Sequence, residues 1–465
     1  MKTRLGLIGA ATIGAALLRA QTPAPQTTPA PVPRTGVEGR ALEFDFPSIE
    51  IGVAEYDEGP TGATVFYFPK GVVATVDVRG GAPATVNTDA LRLSYPSAFV
   101  DAISFAGGSS YGLAAATGVA DGIKTERAGS GAWGNIATVA GAIIFDLGGR
   151  RFNTVTPDYD LGRAALRARR RNSFPLGNRG AGRFTTQGGY FGDSLRQNSG
   201  QGGAFRQVGT TKIAVFTVVN ALGTVVDRRG RIVRCGRATV TGCGTIAERI
   251  ARKVATVGSP ARAERGSSDS VPGVPTESTT LTLVVTNQKL AYWALQRLAV
   301  QVHASLARAL QPFNTENDGD VLFAVSTDEV DNQSLSEPDL GLIASEVAWD
   351  AVLSSVPEAL PPRSITRANV DAGTLDQYSG EYSLSPAVRV QVRREGTRLL
   401  IQGAEQVGIY LRKGVPSELI STSSADFVID NPRGDRLRFD RDASGAVTGF
   451  TINSGTWPVA ATRIR

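Results

Sequence analysis

Few residues in this 465-residue chain are equipped for chemistry, because it holds one His, two Cys and one Met. A zinc or iron centre draws on clustered His and Cys ligands, and a lone His303 cannot supply one. A Ser-His-Asp triad would have to use the same His303 as its base. His303 lies beside the helix-spaced apolar residues Leu295, Leu298, Ala299, Val302 and Leu306, with no partner motif around it. That placement predicts a structural or surface role. Hydrolytic chemistry is left to Thr or Ser, an amine, Lys or carboxylates. No metal and no cofactor are expected.

The remaining candidates each have an ordinary reading. Asn317-Asp318-Gly319-Asp320 sets two carboxylates close together, and alone it reads as a turn. Asn220 ends an apolar run just before Gly223, where a turn-forming Asn is common. Gly107-Gly108-Ser109-Ser110 offers backbone N–H groups to a pocket, or equally a plain helix N-cap. Thr279 opens TTLTLVVT, which by itself is a buried β-branched strand. Cys235 and Cys243 suit a disulfide closing a short loop in an oxidising compartment, and two buried thiols are the alternative.

The elements that must position these residues follow from apolar period. Gly-broken apolar runs from Ala41 read as strands and hairpins, and Val100 to Gly122 as a strand end, a Gly-rich turn and a helix start. Val139–Leu147, Lys212–Val226 and Val321–Ser326 read as buried strands; Asp158–Arg170, Lys289–Leu310 and Leu340–Leu353 as helices. Residues 228 to 278 are rich in Arg, Gly, Ser and Pro, and Ser267–Ser278 reads as an exposed loop ending at Thr279. Strands and helices without regular βαβ alternation favour a layered α/β sandwich. From about Ala372, alternating stretches such as VRVQVRR and RLRFDRD predict a small antiparallel β-domain.

The chain's beginning bears on compartment. Lys2 and Arg4, the apolar run Leu5–Leu18 and the small Ala20 have the layout of a secretory signal peptide over residues 1–20. A Pro-rich linker follows over 21–40. Export to the periplasm or medium is expected. Removing that segment lowers the formal charge from +6 to +3, too weak a surplus to argue for nucleic acid.

Several segments, in this order, resemble the L-aminopeptidase/D-esterase and β-peptidyl aminopeptidase family, which includes nylon-oligomer amidases. They are VDVRGGAPAT (Val76–Thr85), FAGGSSYGL (Phe105–Leu113), AIIFDL (Ala142–Leu147), PDYDLGRAAL (Pro157–Leu166), GAG (Gly180–Gly182), VVNALG (Val218–Gly223), STTLTLVVT (Ser278–Thr286) and NDGDVLFAVST (Asn317–Thr327). The resemblance implies a four-layer αββα sandwich over 41–360, shared with ornithine acetyltransferase, in a precursor that cuts itself between Ser278 and Thr279. The freed Thr279 would be the nucleophile, with its own α-amine as general base. Asp318 and Asp320 would hold the ammonium and hydroxyl, and Asn220 would donate to an oxyanion. The turn at Gly108, Ser109 and Ser110, with Phe145 and Gly189, would shape the pocket.

The sequence departs from the family pattern at three places. Ser278 stands where many members have Asn, and Phe145 where some have a Tyr. Gly188 or Gly189 stands where others have a Lys, and Arg183 or Lys212 is the cation nominated to compensate. The expected substrate is a small peptide, amide or ester, the expected assembly a homo-oligomer of cleaved αβ units. The competing readings are a degenerate member that binds ligands or scaffolds a partner, and an acyltransferase of the ornithine acetyltransferase type. The tail, 361–465, resembles the small β-domain that follows serine β-lactamase-like enzymes, through LDQYSGEYSL and FDRDASGAVTGF.

Overall fold

A computed structural model describes residues 30–93, 99–128, 136–147, 154–192, 195–235, 243–256, 278–356, 365–385, 388–404, 411, 414–431, 434–452 and 458–464. The expected signal peptide, residues 21–29 of the Pro-rich linker and residues 267–277 of the expected loop lie outside them.

Side-chain alternation sorts the sandwich into layers. Successive side chains of a strand point to opposite faces. In Thr279–Gln288, Leu281, Leu283 and Val285 join one buried cluster, while Val284 joins another. Thr211–Asn220 divides the same way, with Ala214, Phe216 and Val218 on the first side and Ile213, Val215 and Val219 on the second. The first cluster also takes Phe66, Phe105 and Phe174, so it is the core between two sheets. The second lies under helices Tyr292–Ser305 and Glu337–Ser354. A third cluster, with Ala63, Val65 and Ala102, lies under helices Ala114–Glu126 and Tyr159–Arg167. Three cores separate four layers, helix, sheet, sheet, helix. The fold is the αββα sandwich.

Hydrogen-bonded order across the strands runs Gln201–Val208, Thr211–Asn220, Thr279–Gln288, Val321–Val330, Thr61–Val78, Phe99–Ala106, Val139–Ile143 and Thr85–Val86. The long strand Thr61–Val78 belongs to both sheets. Its first half pairs with Glu50–Tyr56 and Phe99–Ala106, its second with Val321–Val330. All ten residues of Thr279–Gln288 are buried, so its polar groups need partners. Thr217 Oγ1 supplies one, donating to the Leu281 carbonyl at 3.0 Å and lying 3.2 Å from Thr282 Oγ1.

One expectation changes and one element is added. The strand expected over Val139–Leu147 stops at Ile143, which frees Phe145 and Asp146 to turn toward the strand ends. The Arg-, Gly-, Ser- and Pro-rich region after Arg228, where no element was placed, contains the helix Ile246–Thr256. Its start is fixed by a reciprocal pair: Thr245 Oγ1 accepts from Glu248 N at 3.3 Å, and Glu248 Oε2 accepts from Thr245 N at 3.1 Å. That is a capping box, and Thr-Ile-Ala-Glu was its signal.

The C-terminal strands, from Gly380–Ser385 to Val459–Arg463, close into a barrel of eight. Val390 and Val392 point in while Arg389 and Gln391 point out. Tyr378 stacks on Phe439 at 4.0 Å between ring centroids, and the Tyr382 hydroxyl donates to the Tyr378 carbonyl at 2.8 Å. Phe184, from the sandwich, packs into this same cluster.

Candidate active site

Thr279, Asn220, Asp318 and Asp320 meet at one end of the sheet. Asn220 is the last residue of its strand and Thr279 the first of the next, and they are antiparallel partners. Their side chains therefore leave the sheet on the same face. Ser278 bridges to Asp318 in parallel register, just before Val321–Val330 begins. All are buried: Thr279 is 3% exposed, Asn220 7%, Asp318 2% and Asp320 1%.

The Ser278–Thr279 peptide is gripped by the Asp-Gly-Asp turn. Ser278 N donates to the Asn317 carbonyl at 3.1 Å, and Gly319 N donates to the Ser278 carbonyl at 2.6 Å. Gly319 needs its bare Cα, since a Cβ there would stand 2.6 Å from Thr279 Oγ1 and 2.8 Å from the Ala82 carbonyl oxygen. The nucleophile candidate thus lies against the same residue that polarises the carbonyl before it.

Each carboxylate is held by donors. Asp320 Oδ1 accepts from Thr280 N at 2.6 Å and Oδ2 from Asn314 N at 3.0 Å. Asp318 Oδ2 accepts from Thr315 N at 3.0 Å and from Thr315 Oγ1 at 2.7 Å. Burial still dominates their titration. It raises both carboxyls above the usual range, Asp320 well above because the charge of Asp318 adds to its own desolvation. A buried acid pair of this kind readily keeps a proton where an ordinary Asp has lost it.

The VDVRGGAPAT segment (Val76–Thr85) buttresses the turn. Arg79 N and Gly80 N both donate to the Asp320 carbonyl at 3.2 Å, and Ala82 N donates to the Asp318 carbonyl at 2.9 Å. A side chain on Gly80 would collide with the backbone of Asp318 and Asp320.

Asn220 ties the two sheets. Its Nδ2 donates to the Phe145 carbonyl at 2.7 Å and its Oδ1 accepts from Thr186 N at 3.1 Å. One Nδ2 hydrogen is thereby engaged and the second remains for another acceptor. Phe145 enters through its backbone rather than its ring. The Gly107–Ser110 turn is held by Asp146, which accepts from Gly108 N at 2.8 Å and from Thr61 Oγ1 at 2.9 Å. Ser109 takes a left-handed φ of 54°, and Ser110 is exposed. Asp146 sits inside the AIIFDL segment, where its carboxylate was the signal.

The cations nominated near the GAG segment lie elsewhere. Arg183 pairs with Asp57 at 3.0 Å and Glu55 at 3.3 Å, and Lys212 pairs with Asp45 at 2.8 Å at the opposite end of its strand from Asn220. Both are committed to ion pairs with these carboxylates. Arg196 is the cation at Gly189 instead: its guanidinium fills the space that a Gly189 side chain would take. Its Nη1 donates to Thr186 Oγ1 at 3.2 Å, the same residue whose backbone N–H holds Asn220.

His303 is buried, with Nδ1 2.9 Å from Asp77 Oδ2 and its ring edge-on to Phe313. Burial lowers its pKa more than Asp77 raises it. Cys235 and Cys243 are joined by a disulfide, with Cα atoms 5.6 Å apart.

The sequence model of peptidase family S58 matches residues 44–382. The chain belongs to this family. A 6-aminohexanoate-oligomer endohydrolase of Paenarthrobacter ureafaciens is 40% identical over 338 residues, covering 70% of this chain and 88% of the relative. An uncharacterized aminopeptidase of Mycobacterium bovis is 35% identical over 270 residues, covering 58% and 74%. Among solved structures, a Burkholderia sp. beta-aminopeptidase is similar at 16% identity and a TM-score of 0.47, covering 69% of this chain and 88% of its own. This S58 member is a hydrolase of the aminopeptidase and amidohydrolase type.

Proposed function

We propose that this hydrolase is exported, cuts its own chain between Ser278 and Thr279, and then uses Thr279 to release N-terminal residues from short peptides, amides or esters. The observation that carries the reading is the Gly319 N–H donated to the Ser278 carbonyl at 2.6 Å, with Thr279 Oγ1 in the space that a Gly319 side chain would take. In the first reaction Thr279 Oγ attacks the Ser278 carbonyl carbon, and the oxyanion is stabilised by Gly319 N–H. The C–N bond breaks, the Thr279 nitrogen takes the hydroxyl proton, and an ester remains. Water hydrolyses it to a Ser278 carboxylate and a Thr279 with free hydroxyl and amine.

In turnover the amine accepts the hydroxyl proton as Oγ attacks the substrate carbonyl. The leaving amine or alcohol departs with that proton, and water clears the acyl group from Oγ. Asp320, bonded to Thr280 N, sits one residue from the new ammonium and tunes its proton affinity. The second Nδ2 hydrogen of Asn220 is the donor available to the substrate oxyanion. The Lys2–Ala20 layout is the basis for export.

Intact-mass measurement of purified protein tests the cut. Two fragments are expected, the second beginning at Thr279, and Thr279→Ala should remain one chain and release no nitroaniline from amino-acid p-nitroanilides. A Thr279→Ala protein that is still cut and still active would overturn the assignment.

A further inference from the structure

Ser199 is 0% exposed, and each of its polar groups is committed to a different segment. Its N–H donates to the Thr185 carbonyl at 3.1 Å, and its hydroxyl donates to the Val219 carbonyl at 2.6 Å. Its own carbonyl accepts from Asn178 Nδ2. Two of these partners stand one residue before members of the candidate site. Val219 precedes Asn220, and Thr185 precedes Thr186, whose N–H donates to Asn220 Oδ1 at 3.1 Å.

The hydroxyl occupies a place that backbone normally fills. The ladder between Gln201–Val208 and Thr211–Asn220 reaches as far as Gln201 and Val218. One step further, Val219 N donates to the Gly200 carbonyl at 3.0 Å. A hydrogen-bonded antiparallel pair exchanges two such bonds, and here the Val219 carbonyl takes the Ser199 hydroxyl. The strand end that carries Asn220 is thereby tied to the segment that carries Thr186. That segment needs the tie. Its ribbon pairs only Thr186–Gln187 with Gln197–Asn198, too short to hold its own geometry. Arg196 Nη1 adds a second tie, to Thr186 Oγ1 at 3.2 Å.

Asn220 depends on this support because the last torsion of an Asn side chain is broad. Thr186 N–H can only donate and the Phe145 carbonyl can only accept, so together they set which way the planar amide faces. The second Nδ2 hydrogen then has a single direction. We infer that Ser199 is a positioning residue for turnover. It fixes the spacing of Val219 and Thr185, and through Thr186 it aims the Asn220 donor. The inference rests on the proposed role of Asn220 at the substrate oxyanion and deepens it.

Ser199→Ala removes the hydroxyl and keeps the backbone bond to Thr185. With amino-acid p-nitroanilides, kcat should fall about tenfold at unchanged KM, the scale of a misplacement smaller than an ångström. The cut before Thr279 should keep its wild-type rate, because Gly319 N–H rather than Asn220 serves that oxyanion. In an Asn220→Ala background, where about 10²-fold is already lost with the donor, Ser199→Ala should add nothing. A merely structural Ser199 would slow cutting as well and would multiply the loss in that background. Arg196→Gln, at a partly exposed position, is a second probe that leaves the buried hydroxyl in place. It should lower kcat less than Ser199→Ala, again without slowing the cut. Wild-type kcat in both variants, cutting slowed along with turnover, or a full tenfold loss in the Asn220→Ala background would overturn the inference. Thr279→Ala separates the two claims: activity in that variant sinks the nucleophile, whereas an inactive Thr279→Ala with additive Ser199 and Asn220 effects sinks the positioning role alone.

Discussion

The sandwich and the barrel solve burial in opposite ways. The barrel fills its interior with Tyr378, Tyr382, Phe427, Phe439 and Phe450, and its buried carboxylate among the described residues, Asp435, sits in a turn bonded to Asn431. The sandwich brings Asp318, Asp320, Asn220, Thr279 and Thr280 into its interior at one strand end. Burying unpaired polar groups costs several kcal/mol, whereas aromatic burial contributes about 1.5–3 kcal/mol per side chain. The strand end persists because its acids are met by N–H donors from Thr280, Asn314 and Thr315. One region is arranged for stability. The other gives up stability for a fixed polar constellation.

Three substitutions probe that contrast. Gly319→Ala should be the most severe, because its Cβ would stand 2.6 Å from Thr279 Oγ1. Displacing a reacting atom by an ångström costs about 10²-fold in rate, so both cutting and nitroanilide release should fall at least that far. Wild-type rates in this variant would break the assignment of Gly319 to the site. Asp320→Asn should lower turnover by about 10²-fold, the scale of a lost acid–base group.

Asp320→Asn should also change the pH dependence of folding. Burial raises the Asp320 carboxyl above its ordinary 3.8, so the folded state keeps a proton that the unfolded state releases. That contribution is complete below 3.8 and is lost as pH rises through the folded value. The wild-type unfolding midpoint should therefore fall more steeply with rising pH in that window than the midpoint of Asp320→Asn. Parallel curves would mean that Asp320 ionises normally.

Phe184→Ala addresses the barrel. It removes the sandwich residue packed among the barrel's aromatics, and should cost about 3–5 kcal/mol of stability. Its kcat/KM should stay at the wild-type value below the melting transition. A large loss of turnover would show that the barrel shapes the site through the neighbouring Thr186, which holds Asn220.

Much of the frame was legible because it rests on local period. The apolar runs of Lys212–Val226 and TTLTLVVT located the central strands, although the first ends at Asn220 and Thr224–Val225 pairs apart with Leu310–Gln311, and alternation in VRVQVRR located the barrel. The grouping of Thr279, Asn220, Asp318 and Asp320 was reached through family resemblance, since each looks ordinary alone. What stayed hidden depends on contacts distant in sequence. Nothing near Gly189 announces that Arg196 fills its side-chain space, and nothing near Gly319 announces Thr279 Oγ1. Arg183 and Lys212 looked available only because their partners, Asp57 and Asp45, lie far away along the chain. The helix Ile246–Thr256 is different. Its capping box was readable, but the Arg- and Gly-rich surroundings obscured it.

The sheet order has a consequence for a chain severed before Thr279. Strands Thr279–Gln288 and Val321–Val330 would belong to the downstream piece, yet they lie between Thr211–Asn220 and Thr61–Val78 of the upstream piece. Each piece is incomplete without the other: the upstream one would lose the middle of its sheet, and the downstream one would have two bare edges. Severing the backbone would convert one polypeptide into an inseparable couple, two bands in denaturant and one particle in native buffer. The covalent link would be dispensable once the strands had interleaved, and the break would release an end group without releasing a subunit.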